Sequence, residues 1–211
     1  MQIVLTAVDE ALAYAWERFC GDLAGVHIHR GSILDTACDA VVSPANSFGF
    51  MDGGIDALYL RYFGPYLQQR VQQMIAERHN GELLVGVADI VETDNTNIPF
   101  LIVAPTMRVP MRLTESVNPY LAARAIFLLV QHGRFSSGPQ QGRPIGDVVR
   151  TIALPGLGTG AGGLGPGTCA HQVRAAIEKV RFGTPKPPGS WAEASERHQL
   201  LYMDRPRRLQ E

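Results

Sequence analysis

The chain has 211 residues, 45% hydrophobic and 18% charged, enough for one sizeable core and a small appendage but not comfortably two domains. Nineteen basic and twenty acidic side chains give a formal net charge of -1, so no bulk field exists to hold a polyanionic duplex or an anionic membrane, and nucleic acid would need a local patch. Three widely spaced cysteines, Cys20, Cys38 and Cys169, fit neither a disulfide framework nor a closed zinc site; with no basic leader and no apolar run of membrane-spanning length, the expected setting is cytoplasmic.

Short runs of Val, Ile and Leu alternate with longer segments of helical period, which predicts an α/β fold with a mainly parallel sheet covered by helices on both faces. Gln2 to Ala7 reads as the first strand, and Asp9 caps a helix in which Leu12, Trp16 and Phe19 recur at helical spacing. Val26 to Arg30 and Asp39 to Ser43 follow as strands. Gly54 to about Glu77 is predicted helical, with Pro65 marking a break or a fresh start. Leu83 to Val91 and Phe100 to Ala104 are the next strands, and Asn118 caps a helix with Pro119 at its first position, running to about Gln131. Phe135 to Gly146 is polar and turn-rich, as expected of a mobile surface loop. Val148 to Leu154 reads as the last strand and Thr168 to about Val180 as the last core helix. The domain is thus expected over residues 1–182. A stiff Pro-rich linker, a short helix within Trp191 to Met203 and a basic end at Arg205 to Arg208 are expected over 183–211.

Three predicted strands end directly before proline, at Ser43-Pro44, Ala104-Pro105 and Leu154-Pro155. Proline cannot continue the ladder, so the chain leaves the sheet abruptly at carboxyl ends, the edge where open α/β sheets bind ligands. Two of these exits lead into glycine-rich loops. The loop from Gly156 to Gly167 carries seven glycines in twelve residues between a strand and a helix, which offers consecutive amide N–H groups to a phosphate. It contains G-x-G-x-x-G at Gly158, Gly160 and Gly163, but Glu178 falls inside the following helix and no strand follows, which disfavours a Rossmann site. The absence of Gly-Lys-Ser/Thr excludes a nucleotide-hydrolysing P-loop. The other loop, Ser43 to Asp56, offers amides at Gly53 and Gly54 and two side chains. Asn46 either aims its carboxamide at a hydroxyl or water, or satisfies a turn. Asp56 sits in the first helical turn, where the positive dipole end keeps a carboxylate ionised.

Together, S-P-A-N, the ten residues from Asn46 through G-G-I to Asp56, and a strand ending in L-P followed by G-x-G-T-G-A-G-G resemble the macrodomain family of ADP-ribose-binding modules over roughly Gly31 to Val180. The resemblance implies a three-layer α/β/α sandwich with a mixed, mostly parallel sheet. It implies ADP-ribose, or an ADP-ribosylated substrate, lying across the carboxyl edge. Ser43, Ala45, Gly53, Gly54 and Ile55 of the first loop and Gly158, Thr159, Gly160, Ala161, Gly162 and Gly163 of the second would hold the diphosphate through backbone amides, without a metal or other cofactor. Ser32 and Ile33 take the place of G-D-I, whose aspartate reads adenine, so Ser32 offers a weaker contact. The aromatic that covers the distal ribose in the family falls at Gly162, which leaves Phe48 or Phe50 to supply it, and Pro105 marks the strand end beside that ribose. Asn46 would orient the ribose and a water. Asp56 would act as general base or stabilise positive charge on the sugar during cleavage at or near C1'' of an ADP-ribosyl-protein, an O-acetyl ester or a 1''-phosphate. A neighbouring diphosphate raises the pKa of such a carboxylate and a helix end lowers it, an opposition the sequence does not rank. A non-catalytic ADP-ribose reader and a binder of another phosphorylated nucleoside are the other readings.

The remaining chemistry-bearing residues read plainly. His27 and His29 form a surface pair with no further ligand nearby in sequence. Cys169, at a helix start where a thiol pKa can fall, is assigned packing and no role, Tyr59, Tyr62 and Phe63 are core or groove aromatics, and Arg205 to Arg208 are a solvated tail.

Overall fold

Short β-branched runs become strands here because alternate residues are buried on opposite faces of one sheet. The computed structural model describes residues 1–44, 46–183 and 186–203. Its strands are β1 (Gln2–Ala7), β2 (Val26–Arg30), β3 (Ala40–Ser43), β4 (Asp89–Glu92), β5 (Phe100–Val103) and β6 (Thr151–Leu154). They lie in the order β2-β1-β6-β3-β5-β4, all parallel except β4, which runs antiparallel to β5 at one edge. The helices are α1 (Glu10–Cys20), α2 (Gly54–Phe63), α3 (Tyr66–His79), α4 (Asn118–His132), α5 (Ile145–Val148), α6 (Pro166–Ile177) and α7 (Trp191–Gln199).

Two hydrophobic cores sandwich the sheet. Ile3, Leu5, Val42, Ile102, Ile152 and Leu154 face α1, α4 and α6, where Trp16, Phe127 and Val173 fill the layer. Val41, Leu101, Val103 and Ala153 face α2 and α3, against Tyr59, Val71 and Ile75. The two largest buried side chains with polar handles satisfy them on strands: Trp16 Nε1–H donates to the Thr6 carbonyl at 3.2 Å, and the Tyr59 hydroxyl donates to the Val42 carbonyl at 2.9 Å. Asp9 caps α1 as expected, accepting from the Leu12 amide at 2.8 Å.

Several predicted boundaries move. The span from Gly54 to Glu77 is two helices separated at Gly64-Pro65. The strand expected over Leu83 to Val91 pairs only from Asp89. Leu83 is instead buried under the loop after β3, its amide donating to the Ser47 carbonyl at 2.9 Å. The strand expected from Val148 begins at Thr151, because Ile145–Val148 forms a helical turn. Val117, not Asn118, is the N-cap of α4; Asn118 Nδ2 donates to the Thr106 carbonyl at 2.9 Å and ties the helix start to the exit of β5. The segment expected to be a mobile loop is pinned: Phe135 is buried against Phe100, and its amide and carbonyl bond Arg143 and Gly142. α6 ends at Ile177 and passes through one π turn, Glu178–Phe182.

The C-terminal segment is not a free appendage. His171 Nε2 lies 2.7 Å from the Leu200 carbonyl oxygen, and Leu201 is buried. Thr184, Pro185 and the basic cluster Arg205 to Arg208 lie outside the described residues. Among the described residues, no helix is long and apolar enough to cross a membrane.

Candidate functional site

Every parallel strand releases its chain at the same edge, and those exits wall a cavity of about 550 Å³. Following the sheet order, the wall comprises Gly31, Ser32 and Ile33 after β2, then Val8, Asp9 and Leu12 after β1. Gly156 and Gly158 to Gly162 follow β6, Asn46, Phe50 and Asp52 to Asp56 follow β3, and Thr106, Met107 and Pro110 follow β5. Leu58 and Arg61 add one face of α2. Both glycine loops therefore meet, on the adjacent exits of β6 and β3.

The amides are available. Thr159, Gly160, Ala161 and Gly162 donate no main-chain N–H to another described residue, while the loop's shape is kept by Gly163 N–H to the Gly160 carbonyl and Leu164 N–H to the Gly158 carbonyl. Across from them α2 starts at Gly54 with no side-chain cap, leaving its first-turn N–H groups toward the cavity-lining stretch. An array of unengaged amides at a helix start is an anion site built from backbone alone. Gly162 is required there: a Cβ at this position would lie 2.5 Å from the Gly158 carbonyl oxygen and 2.9 Å from Leu113 Cδ1. That contact is the steric reason no aromatic stands at this position.

Asp56 is the chemical centre. It is 6% exposed, yet reaches the cavity, and its Oδ1 is buried with no hydrogen-bond partner among the described residues. Burial pushes its carboxyl up to about 6, against a hydrogen bond from the Ser43 hydroxyl that lowers it. Desolvation is thus the larger influence on this carboxyl, which at about 6 is still mostly ionised at neutral pH. An acid that titrates near neutrality is suited to accept a proton.

The other expected residues divide. Ser32, Ile33, Gly53, Gly54, Ile55, Gly158, Thr159, Gly160, Ala161 and Gly162 line the cavity. Ser43 is buried beneath it, bonded to Asp56. Phe48 is off the wall, its ring under the Arg108 guanidinium at 5.0 Å, and Phe50 stands at the cavity instead. Pro105 yields the wall to Thr106, and Gly163 is covered by the Arg112 guanidinium. Ala45 lies outside the described residues. Asn46 lines the cavity, but its carboxamide is engaged: Oδ1 accepts from the amides of Phe48 and Phe50, and Nδ2 donates to the Phe50 carbonyl. Cys169 is fully buried and its thiol is pushed up to about 12 by desolvation, the reverse of a helix-start activation.

Val8, Asp9 and Leu12 were not expected on the wall. Their signal was present in part, since Val8 directly follows a strand and Asp9 caps the next helix, but only the insertion of β1 between β2 and β6 brings that exit beside the glycine loop.

A family model of the macro domain matches residues 42–173, more than half of the chain. The chain belongs to the macrodomain family. Its six-stranded, mostly parallel sheet between two helical layers is the macrodomain architecture expected from the sequence. An uncharacterized protein of Aquifex aeolicus is 27% identical over 161 residues, covering 76% of this macrodomain chain and 84% of its own. Among solved structures, a glycine-to-valine variant of the Oceanobacillus iheyensis macrodomain with ADPR has a TM-score of 0.57 at 20% identity, over 81% of this chain and 88% of that one. The macrodomain of Mycobacterium tuberculosis DarG has a TM-score of 0.54 at 20% identity, over 71% and 88%. Two other structures of the Oceanobacillus protein carry single alanine substitutions, of an asparagine and of an aspartate ten positions further on. Here β1, α1 and β2 precede the matched segment yet complete the sheet and one end of the cavity.

Proposed function

We propose that this macrodomain binds ADP-ribose and hydrolyses a bond at C1'' of the distal ribose in an ADP-ribosylated substrate. The observation that carries this is the adjacency of unengaged loop amides and a buried, near-neutral carboxyl on one cavity wall. The diphosphate fits between the loops after β6 and β3, where amides neutralise it. The sugar then lies toward β5 with Asp56, and the nucleobase toward Ser32, Val8 and Leu12 at the β1 and β2 exits. Support comes from the Oceanobacillus macrodomain that carries ADPR, whose substituted asparagine and aspartate have the spacing of Asn46 and Asp56.

In the reaction, Asp56 takes a proton from a water whose oxygen attacks C1''. The C1''–O bond breaks, and the substrate's carboxylate leaves with its electron pair, giving free ADP-ribose. A reader without turnover is favoured by one observation, the engagement of the Asn46 carboxamide within its own loop. The test is calorimetry with ADP-ribose together with release of ADP-ribose from a modified protein. Binding with release is expected; binding without release assigns a reader, and no heat with millimolar ADP-ribose overturns both.

Gly162→Val is expected to weaken ADP-ribose binding about tenfold or more, the worth of a single lost charge-assisted hydrogen bond, because its side chain meets backbone at 2.5 Å and must shift the amide row. Unchanged affinity in the same calorimetric titration would show that this loop does not hold the ligand.

A further inference from the structure

A second cavity, of about 290 Å³, shares no residue with the first and lies along β4, the edge strand of the sheet. The register of β4 decides which of its main-chain groups face that cavity. Thr93 N–H donates to the Pro99 carbonyl, and bonded pairs of an antiparallel ladder recur at every second residue. Val91 with Leu101 and Asp89 with Val103 are therefore bonded pairs, and the main-chain groups of Ile90 and Glu92 point outward. Side chains close two of those four groups. Ile90 N–H donates to Asp89 Oδ1 at 2.7 Å, and the Glu92 carbonyl accepts from Arg70 at 2.6 Å. The Ile90 carbonyl and the Glu92 N–H have no partner among the described residues, and both residues line the cavity.

The cavity is a slot in the plane of the sheet. Met74 and Glu77 of α3 wall it on one side, and Phe135, Ser137 and Gly138 wall it on the other. Met74 belongs to the core layer of Val91, and Phe135 to that of Ile90 and Phe100. A further strand would lie between these layers, about 4.8 Å from β4. The free pair also selects its direction. An antiparallel neighbour bonds the N–H and carbonyl of one residue, and neither Ile90 nor Glu92 has both available. A parallel neighbour bonds the carbonyl before and the N–H after the residue it faces, which here are the two groups flanking Val91. A two-fold pair of copies would bring β4 to β4 antiparallel, so a second copy does not suit this edge.

Charge indicates the occupant. The Glu92 carboxylate is half-buried, and a Cβ at Gly138 would lie 2.9 Å from its Oε1. Among the described residues it accepts no hydrogen bond and has no cation within ion-pair distance. Arg70, nearby, spends its guanidinium on the Glu92 carbonyl and on Asp94, and Arg78 is held by Asp89.

We infer that the β4 edge binds an extended segment of a partner protein, added parallel to β4 through one residue that bonds the Ile90 carbonyl and the Glu92 N–H. That residue faces Val91 and turns an apolar side chain toward Met74; the next residue faces Glu92 and is basic. The inference does not depend on the ADP-ribose reading.

The probe is the peptide acetyl-Thr-Leu-Lys-Thr-amide, titrated into the isotope-labelled full chain while backbone amide resonances are followed by NMR. The Glu92 amide is expected to move with peptide, while the Gly160 amide moves only with ADP-ribose. N-methylation of the peptide leucine, which removes the donor to the Ile90 carbonyl, is expected to weaken binding by about fivefold or more. Glutamate in place of the peptide lysine is expected to weaken it by about two- to fivefold, and Glu92→Gln to abolish that preference. A Glu92 amide that stays still at millimolar peptide, or equal binding of the N-methylated peptide, overturns the strand-addition site. A lysine preference that survives Glu92→Gln overturns the assignment of the basic side chain. A Glu92 amide that moves with protein concentration alone, together with a rise in sedimenting mass, overturns the partner in favour of a second copy.

Discussion

Asp56→Ala is expected to lower release of ADP-ribose from a modified protein by about a hundred- to ten-thousandfold, the range for removal of a positioned general base, while ADP-ribose itself still binds. The carboxyl reaches the cavity from α2, its Oδ1 has no other described partner, and Ser43 holds the group from below. Nothing else on the β3 and β5 part of the wall is an acid except the exposed Asp52, four residues earlier. The base must be ionised to act, so kcat/KM should rise with pH and level off above about 6, the value to which burial lifts the carboxyl. Bound diphosphate moves the kcat limb higher still by like-charge repulsion. Single-turnover release measured across pH 5 to 8 checks both statements. Full activity in Asp56→Ala, or a rate that falls as pH rises from 5 to 7, would remove Asp56 from the chemistry.

The same burial makes Asp56 a stability element with the opposite pH preference. An aspartate at 3.8 in the unfolded chain and about 6 in the folded one binds its proton more tightly when folded. Its contribution is fully present below pH 3.8 and is lost as pH rises through 6. The difference corresponds to about 3 kcal/mol, expressed as the cost of an ionised carboxylate with little solvent. Asp56→Asn has the same shape and no charge to bury. Its unfolding free energy relative to native should therefore grow by about 2.5 kcal/mol between pH 4 and pH 7, other groups cancelling in the comparison. Urea unfolding of the two proteins at four or five pH values measures this directly. Parallel profiles would mean that Asp56 is solvated in the folded state, and the basis for its elevated pKa would go with it. Both experiments use one residue for two signs: what makes the site reactive near neutrality also makes it expensive to fold there.

Much of this protein was determined by sequence alone. Alternating Val, Ile and Leu in runs too short for helices placed β1, β2, β3 and β5 nearly to the residue, since a strand buried on two faces requires such a run wherever it occurs. Strand exits at Pro44, Pro105 and Pro155, and two loops rich in glycine, mark in the sequence the sheet edge that carries the cavity, because proline and glycine act on backbone through local sterics. Position in the sheet was another matter. Neither the slot of β1 between β2 and β6 nor the resulting place of Val8, Asp9 and Leu12 on the wall is encoded in any local period. The same holds for the choice between Phe48 and Phe50: two positions apart they would share a face in extended chain, but the turn at Gly49 sends one under Arg108 and the other to the cavity. Leu83 to Ala88 has the composition of a strand and forms none, its first residue being spent on packing beneath the loop after β3. Asp56 is the clearest case. Its helix-start position argued for an ionised carboxylate and its burial argued against, and burial is a sum over residues distant in the chain, which only the folded arrangement supplies.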